Sequence, residues 1–146
     1  MSCNMYAQAK AESLEPYSSA FDGDIDASAC VVCYGAVPDA VRSAVDAALK
    51  ALGHTAVYVD CSGIFATDEG ARGLFSCLEG IDANVLVVAD ELAAGLIGQT
   101  YRCDVPLDAH SRLFGRDAVA FTSFEADLSD PKLKQRDWAL LKKLKR

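Results

Sequence analysis

Short apolar runs separated by stretches of helical period organise this chain. "ACVVCY", beginning near Ala29, is a continuous apolar run of strand length with β-branched residues, the pattern of a strand covered on both faces of a parallel sheet. Val41, Ala44, Val45, Ala48, Leu49 and Leu52 then recur at the i, i+3, i+4, i+7 spacing of one helical face, and Gly53 closes that helix. "TAVYVD" predicts a second strand. Ala71, Leu74, Phe75 and Leu78 predict a second helix, opened by Thr67 as N-cap with Asp68 and Glu69 in its first turn. "NVLVVA" reads as a third buried strand, Asp90 caps the helix "ELAAGLIG", and "DAVAF" is a fourth strand beyond a loop containing Pro106 and Gly115. Pro131 at the first helical position behind Asp130 opens a last helix, whose apolar stripe is Leu133, Leu140, Leu141 and Leu144, extended by Trp138.

Strands alternating with helices require right-handed crossovers and a parallel sheet covered on both faces. The expected architecture is α/β, a three-layer α/β/α sandwich with a four-stranded, mainly parallel sheet. Residues 1–27 lack periodicity and are rich in Ser, Ala, Asp and Glu, so they read as a flexible N-terminal arm. Residues 28–146 then form a single domain, as the length of 146 residues suggests.

Composition narrows the class. Hydrophobic residues make up 51% and charged residues 24% of the chain, and no apolar run approaches the roughly 18 residues of a membrane span, which predicts a globular protein without membrane contact. The first twenty residues have no basic start followed by an apolar run and a small-residue cleavage site, so the expected location is the cytoplasm. In that reducing compartment the six cysteines are expected to be mostly structural, packed as small hydrophobes. "CVVC" has the spacing of a redox or metal pair, but residues three apart on a strand point to opposite faces and cannot easily grip one ion.

Charge is unevenly spread. Residues 132–146 hold seven Lys and Arg against one Asp, while the chain as a whole carries −7, so the remainder is strongly acidic. Most of the surface should repel a phosphate backbone, and only the C-terminal segment could meet nucleic acid or an acidic partner.

In open parallel sheets ligands collect outside the carboxyl ends of the strands. Four loops are selected by that rule: 35–39, 60–67, 89–91 and 122–127. Taken in order, their residues resemble the uracil-DNA glycosylase superfamily, particularly its shorter bacterial and archaeal branches. In those proteins a strand ends in a G-E-x-P-G loop. A helix, a strand ending in Asn, a helix, an apolar strand, a small-residue helix and a strand ending in H-P follow. "YGAVPDA" takes the place of the first loop and "ALGHTAVYVDC" of the second strand. "LEGIDANVLVVADELAAGLIG" matches the third strand with its helix, and "FTSFEADLSDPKLKQRDWALLKKL" the terminal motif and last helix.

The resemblance implies a uracil-DNA glycosylase-like domain, and it assigns roles that this chain's residues do not fill. Excision needs the base flipped out, stacked and read at its edge, charge stabilised on the leaving base, and a group that places water. Gly35 and Pro38 are kept, but Ala36 stands where the family places its water-positioning residue, and Asp39 replaces the small Gly where backbone approaches substrate. The stacking aromatic has no counterpart. Asp60 or Cys61 falls where an Asn reads the pyrimidine edge, and Ser123 and Phe124 replace His and Pro, with Glu125 one or two residues on. The six cysteines do not match the iron-sulfur pattern of some branches, and neither metal nor cofactor is expected.

The leading expectation is a domain that kept this fold and lost its reaction, a noncatalytic interaction or accessory protein. The alternative is a DNA-repair-type glycosylase, or another nucleobase- or nucleotide-acting enzyme with altered chemistry. Asp39, Asp60 and Glu125 would then form a carboxylate cluster that splits acid and base roles or binds a divalent cation. A third expectation is a nucleic-acid binder using the basic face of Lys132, Lys134, Arg136, Lys142 and Lys143, with Trp138 and Phe124 as stacking groups. His54, after a helix-ending Gly, and His110, in a loop, read as surface residues.

Overall fold

The computed structural model describes residues 8–12, 14–65 and 70–144. Six strands form one sheet in the order β1-β3-β2-β4-β6-β5. They are β1 Phe21–Gly23, β2 Ala29–Cys33, β3 Ala56–Asp60, β4 Val85–Val88, β5 Ala109–Leu113 and β6 Arg116–Ala120. The four apolar runs seen in the sequence are its parallel centre, with Val31 opposite Tyr58 and Val87, and Val87 opposite Val119.

The expected count of four strands is corrected to six, because both edges carry short antiparallel strands. β1 is three residues long, and β5, "AHSRL", is polar and only partly covered, so neither has an apolar run to announce it. A two-residue connection joins β5 to β6, with both Phe114 and Gly115 at positive φ. Such a mirror-image turn matches the twist of a hairpin. Phe-Gly lacks the Asn or Asp that normally signals one.

Each sheet face carries a helical layer. Helix α1 Asp39–Ala51, the short α5 Phe124–Asp127 and α6 Pro131–Leu141 pack on Val31, Val85, Val87, Val119 and Phe121. Helices α2 Cys61–Phe65, α3 Gly70–Ile81 and α4 Glu91–Tyr101 cover the opposite face, on Cys30, Val32, Val59, Leu86 and Val88. Alternate residues of one strand therefore feed two cores, and this is why β2 is apolar at every position. The sequence expectations hold for α1, whose buried residues are Val41, Val45, Ala48 and Leu49, and for the caps Asp90 and Asp130. Gly53 sits at φ +82 just past α1, as a helix-ending glycine does.

Several expectations are overturned. Part of the segment read as a loose arm is packed: Leu14, Tyr17 and Ala20 are buried, and Phe21–Gly23 pairs with β3. Three apolar residues spaced by three are too sparse to register as a periodic element. Phe75 is 46% exposed, because the buried stripe of α3 is Leu74, Cys77, Leu78 and Ile81, at i, i+3, i+4 and i+7. Thr67, Asp68 and Glu69, the expected cap of that helix, lie outside the described residues.

His54 is no surface residue: at 4% exposure, its Nε2 lies 2.6 Å from the Leu144 carbonyl and its Nδ1 2.9 Å from Ser28 Oγ. A carbonyl only accepts, so Nε2 carries a proton and donates it to Leu144. That pair of bonds fastens the 3-10 turn Lys142–Leu144 to the loop before β3. His110 belongs to β5, half-buried, 3.5 Å from Asp117. Among the described residues no helix is long and apolar enough to cross a membrane.

Candidate functional site

β2 leads into α1 on one face of the sheet and the adjacent β4 into α4 on the other, so the strands' connections diverge at their carboxyl ends. A crevice at such a switch point is where ligands bind in open α/β sheets. The loop 34–38 crosses it, and two carboxylates hold the loop from either side. Asp60, ending β3, accepts from the Gly35 amide at 2.8 Å, the Ser62 amide at 3.0 Å and the Ser62 hydroxyl, all on Oδ1. Asp90, capping α4, accepts from the Tyr34 amide at 3.0 Å on one oxygen and from the Ala93 amide at 2.8 Å on the other. Burial pushes the Asp60 carboxyl up, but the Ser62 hydroxyl and the Gly35, Ser62 and Gly63 amides outweigh it and hold the group below the ordinary carboxylate range. A base held so acidic is a poor proton acceptor near neutral pH.

Two hollows flank this loop. The larger, of about 260 Å³, brings Gly35, Ala36 and Asp60 together with Asp22, Arg42 and Tyr58. Within it Arg42 bonds Asp22 at 2.6 Å and lies over the Tyr58 ring, whose hydroxyl donates to Asp46. Burial, then that bond to Asp46, pushes the phenol well above its ordinary range, so Tyr58 stays neutral. The smaller, of about 90 Å³, joins Ala36 and Pro38 to Ser123, Glu125, Tyr34 and Asp90. Ser123 Oγ accepts from the Ala126 amide at 3.2 Å, as the cap of α5.

The remaining candidates lie elsewhere. Asp39 is exposed in the first turn of α1 and lines neither hollow. Cys61 is fully buried in the core under α2 to α4, where burial first and Asp90 next push its thiol up to about 12. Phe124 is buried on the other face, its ring 5.1 Å from Phe121. Cys33 borders both hollows, yet burial and the nearby Asp60 push it up to about 12 as well, far from a reactive thiolate. Cys30, its partner in "CVVC", packs in the core beneath α3 and α4, with burial raising its thiol.

Asp39, Asp60 and Glu125 do not assemble into a cluster. Among the described residues, the carboxylates that do converge are Asp108, Asp127 and Asp137, with ligand atoms within 4.8 Å of one another. Arg136 already supplies the cation there: its guanidinium is 3.1 Å from Asp108, 3.0 Å from Asp127 and 3.1 Å from Asp137. Asp137 is 1% exposed and its Oδ2 has no hydrogen-bond partner among the described residues. Burial first, then Asp127, pushes its carboxyl up to about 7, against the pull of Arg136. A carboxyl raised that far holds its proton close to neutrality.

The basic face expected on the last helix is thereby reduced. Lys132, Lys134, Lys142 and Lys143 are exposed, while Arg136 is turned inward to the aspartates. Sequence reasoning missed this cluster because Asp108, Asp127 and Arg136 are distant along the chain and share no period.

The chain matches no family model and no curated protein.

Proposed function

We propose that this chain is a noncatalytic interaction or accessory domain with the layout of the uracil-DNA glycosylase-like superfamily, its rim retained as structure rather than as a reaction centre. The observation that carries this reading is the use made of Asp60. Three donors converge on one of its oxygens, and the Gly35 amide among them fastens the first loop to the end of β3. Asp90 is engaged in the same way on the other side, and Ala36, with only a methyl group, stands where the resemblance places a water-positioning side chain. A positioned acid or base contributes roughly 10²- to 10⁴-fold to rate, and an oxyanion-type donor about 3 to 4 kcal/mol. Without both, base excision would fall by several orders of magnitude.

Incubation with a uracil-containing single strand, followed by alkaline scission, tests this. The expected result is cleavage indistinguishable from a strand incubated alone. Scission at the rate of ordinary glycosylases would overturn the reading. One observation favours a second reading, an enzyme of altered chemistry acting on a nucleobase or nucleotide: the hollow of about 260 Å³ places Asp60, Arg42 and Tyr58 around a space that could admit a small planar ligand. Saturable heat on titration with nucleosides, lost on Arg42→Ala, would favour it.

A further inference from the structure

A groove runs between α1 and α6. Two hollows form it, one of about 250 Å³ and one of about 320 Å³, with Trp138 and Leu141 lining both. From α6 the groove takes Lys134, Gln135, Trp138 and Leu141, with Lys142 of the turn that follows, and from α1 it takes Ala44, Ala48 and Ala51, with Leu52 just past its end. Ala44, Ala48 and Ala51 on one side and Lys134, Trp138 and Leu141 on the other have the same spacing, at offsets of four and seven residues, so each is one helical face of about two turns. Leu141 and Phe124 form a buried floor. The α1 wall is mostly alanine, which leaves room above that floor, and Trp138 stands 39% exposed between the hollows.

Charge distinguishes the occupants. Lys134 on α6 and Lys142 just past its end bracket Trp138, Lys142 Nζ lies 5.5 Å from its ring centroid, and Lys132 and Lys143 are exposed nearby. No carboxylate pairs with Lys134 or Lys142 among the described residues, whereas Arg136 on the same helix is fully engaged by three. The groove thus couples an apolar trough to lysines without anionic partners, on a chain whose remaining surface is strongly acidic.

We propose that the groove between α1 and α6 docks an acidic amphipathic helix of a partner protein, which deepens and rests on the interaction reading above. The apolar face of such a helix, at i, i+4 and i+7, fills the two hollows on either side of Trp138, a residue type that commonly anchors interfaces. Its carboxylates meet Lys134 and Lys142, giving specificity and a faster encounter. A phosphate backbone would gain the same lysines but leave the apolar trough unfilled, and it would face the acidic remainder of the surface.

Trp138 is the sole tryptophan of the chain, so it reports directly on the groove. The probe is a synthetic 18-residue helical peptide with Leu and Phe at i, i+4, i+7 and i+11 and Glu at the exposed positions, titrated into the full-length protein. Saturable binding, a blue shift of Trp138 emission, and at least tenfold weaker binding by the same peptide with Lys for Glu are expected. Paired Lys134→Glu and Lys142→Glu changes, both at exposed positions, should weaken binding at least tenfold with the circular dichroism unchanged. Equal binding of acidic and basic peptides, or of neither, overturns the proposal. So does competition by oligo-dT that is lost in the same variant, which would make the groove a nucleic-acid site. Concentration-dependent dimerisation that buries Trp138 also overturns it, since the occupant would be a second copy. The scission assay above separates the two readings: peptide binding with uracil excision sinks only the noncatalytic reading, and neither activity sinks only the docking surface.

Discussion

Asp137→Asn should flatten the pH dependence of stability on the acidic side of neutrality. In the folded chain the Asp137 carboxyl is pushed from an ordinary 3.8 up to about 7, by burial first and by Asp127 second. Between those values the folded state holds a proton that the unfolded chain has released. The stabilisation from this group is therefore complete below the unfolded pKa and is lost as pH rises through the folded one. One proton corresponds to a slope of about 1.4 kcal/mol per pH unit, halved by pH 7, so the wild-type protein should lose about 2 kcal/mol more than the variant between pH 5 and 7. Asparagine preserves the shape: its carbonyl can still accept from Arg136, and its neutral amide stands in for the protonated oxygen of Asp137. Urea unfolding of both proteins at pH 5, 6, 7 and 8 measures the difference, with other titrating groups contributing alike to each. Parallel pH profiles for wild type and variant would refute the raised Asp137 carboxyl.

Other expected outcomes follow from single contacts. His54→Ala strands the Leu144 carbonyl and the Ser28 hydroxyl, and should destabilise the fold by about 2 kcal/mol or more in urea unfolding, with Ser28→Ala costing about 1 kcal/mol. Gly98 and Gly95 of α4 should respond oppositely to alanine. A Cβ on Gly98 would lie 2.8 Å from the Cys103 carbonyl and should lower the melting temperature, whereas Gly95 faces open space and Gly95→Ala should stabilise by about 0.5 to 1 kcal/mol. Equal effects at the two sites would count against the close packing of the 98–103 turn.

Legibility in the sequence tracks burial on both faces. β2, β3 and β4 are continuous apolar runs because two helical layers cover them, and the parallel pairing of the central strands, though not their order, follows from alternating strands and helices. The edge strands escaped because one face of each meets solvent and the hairpin turn Phe114-Gly115 lacks the usual polar residue. At the rim, position along the chain selected Gly35, Ala36 and Asp60, which line one hollow, and Pro38, Ser123 and Glu125, which line another. What it could not supply is orientation. Cys61 follows Asp60 directly, yet it begins a helix and turns into the core, and Phe124 follows Ser123 into the opposite one. Contacts such as His54 with Leu144 join residues ninety positions apart, which no local period encodes.

Asp60 and Asp90 bracket the 34–38 loop, on which the proposal of a structural rim rests, and hydrogen exchange at the Tyr34 and Gly35 amides reads that bracketing residue by residue. Both amides should exchange slowly in the native protein, Gly35 should exchange at least tenfold faster in Asp60→Ala, and neither should change on saturation with uracil or deoxyuridine. Rapid exchange of both amides in the native chain, or marked protection of Gly35 on addition of uracil, would mean that these donors are free to hold a base and would contradict a rim closed on itself.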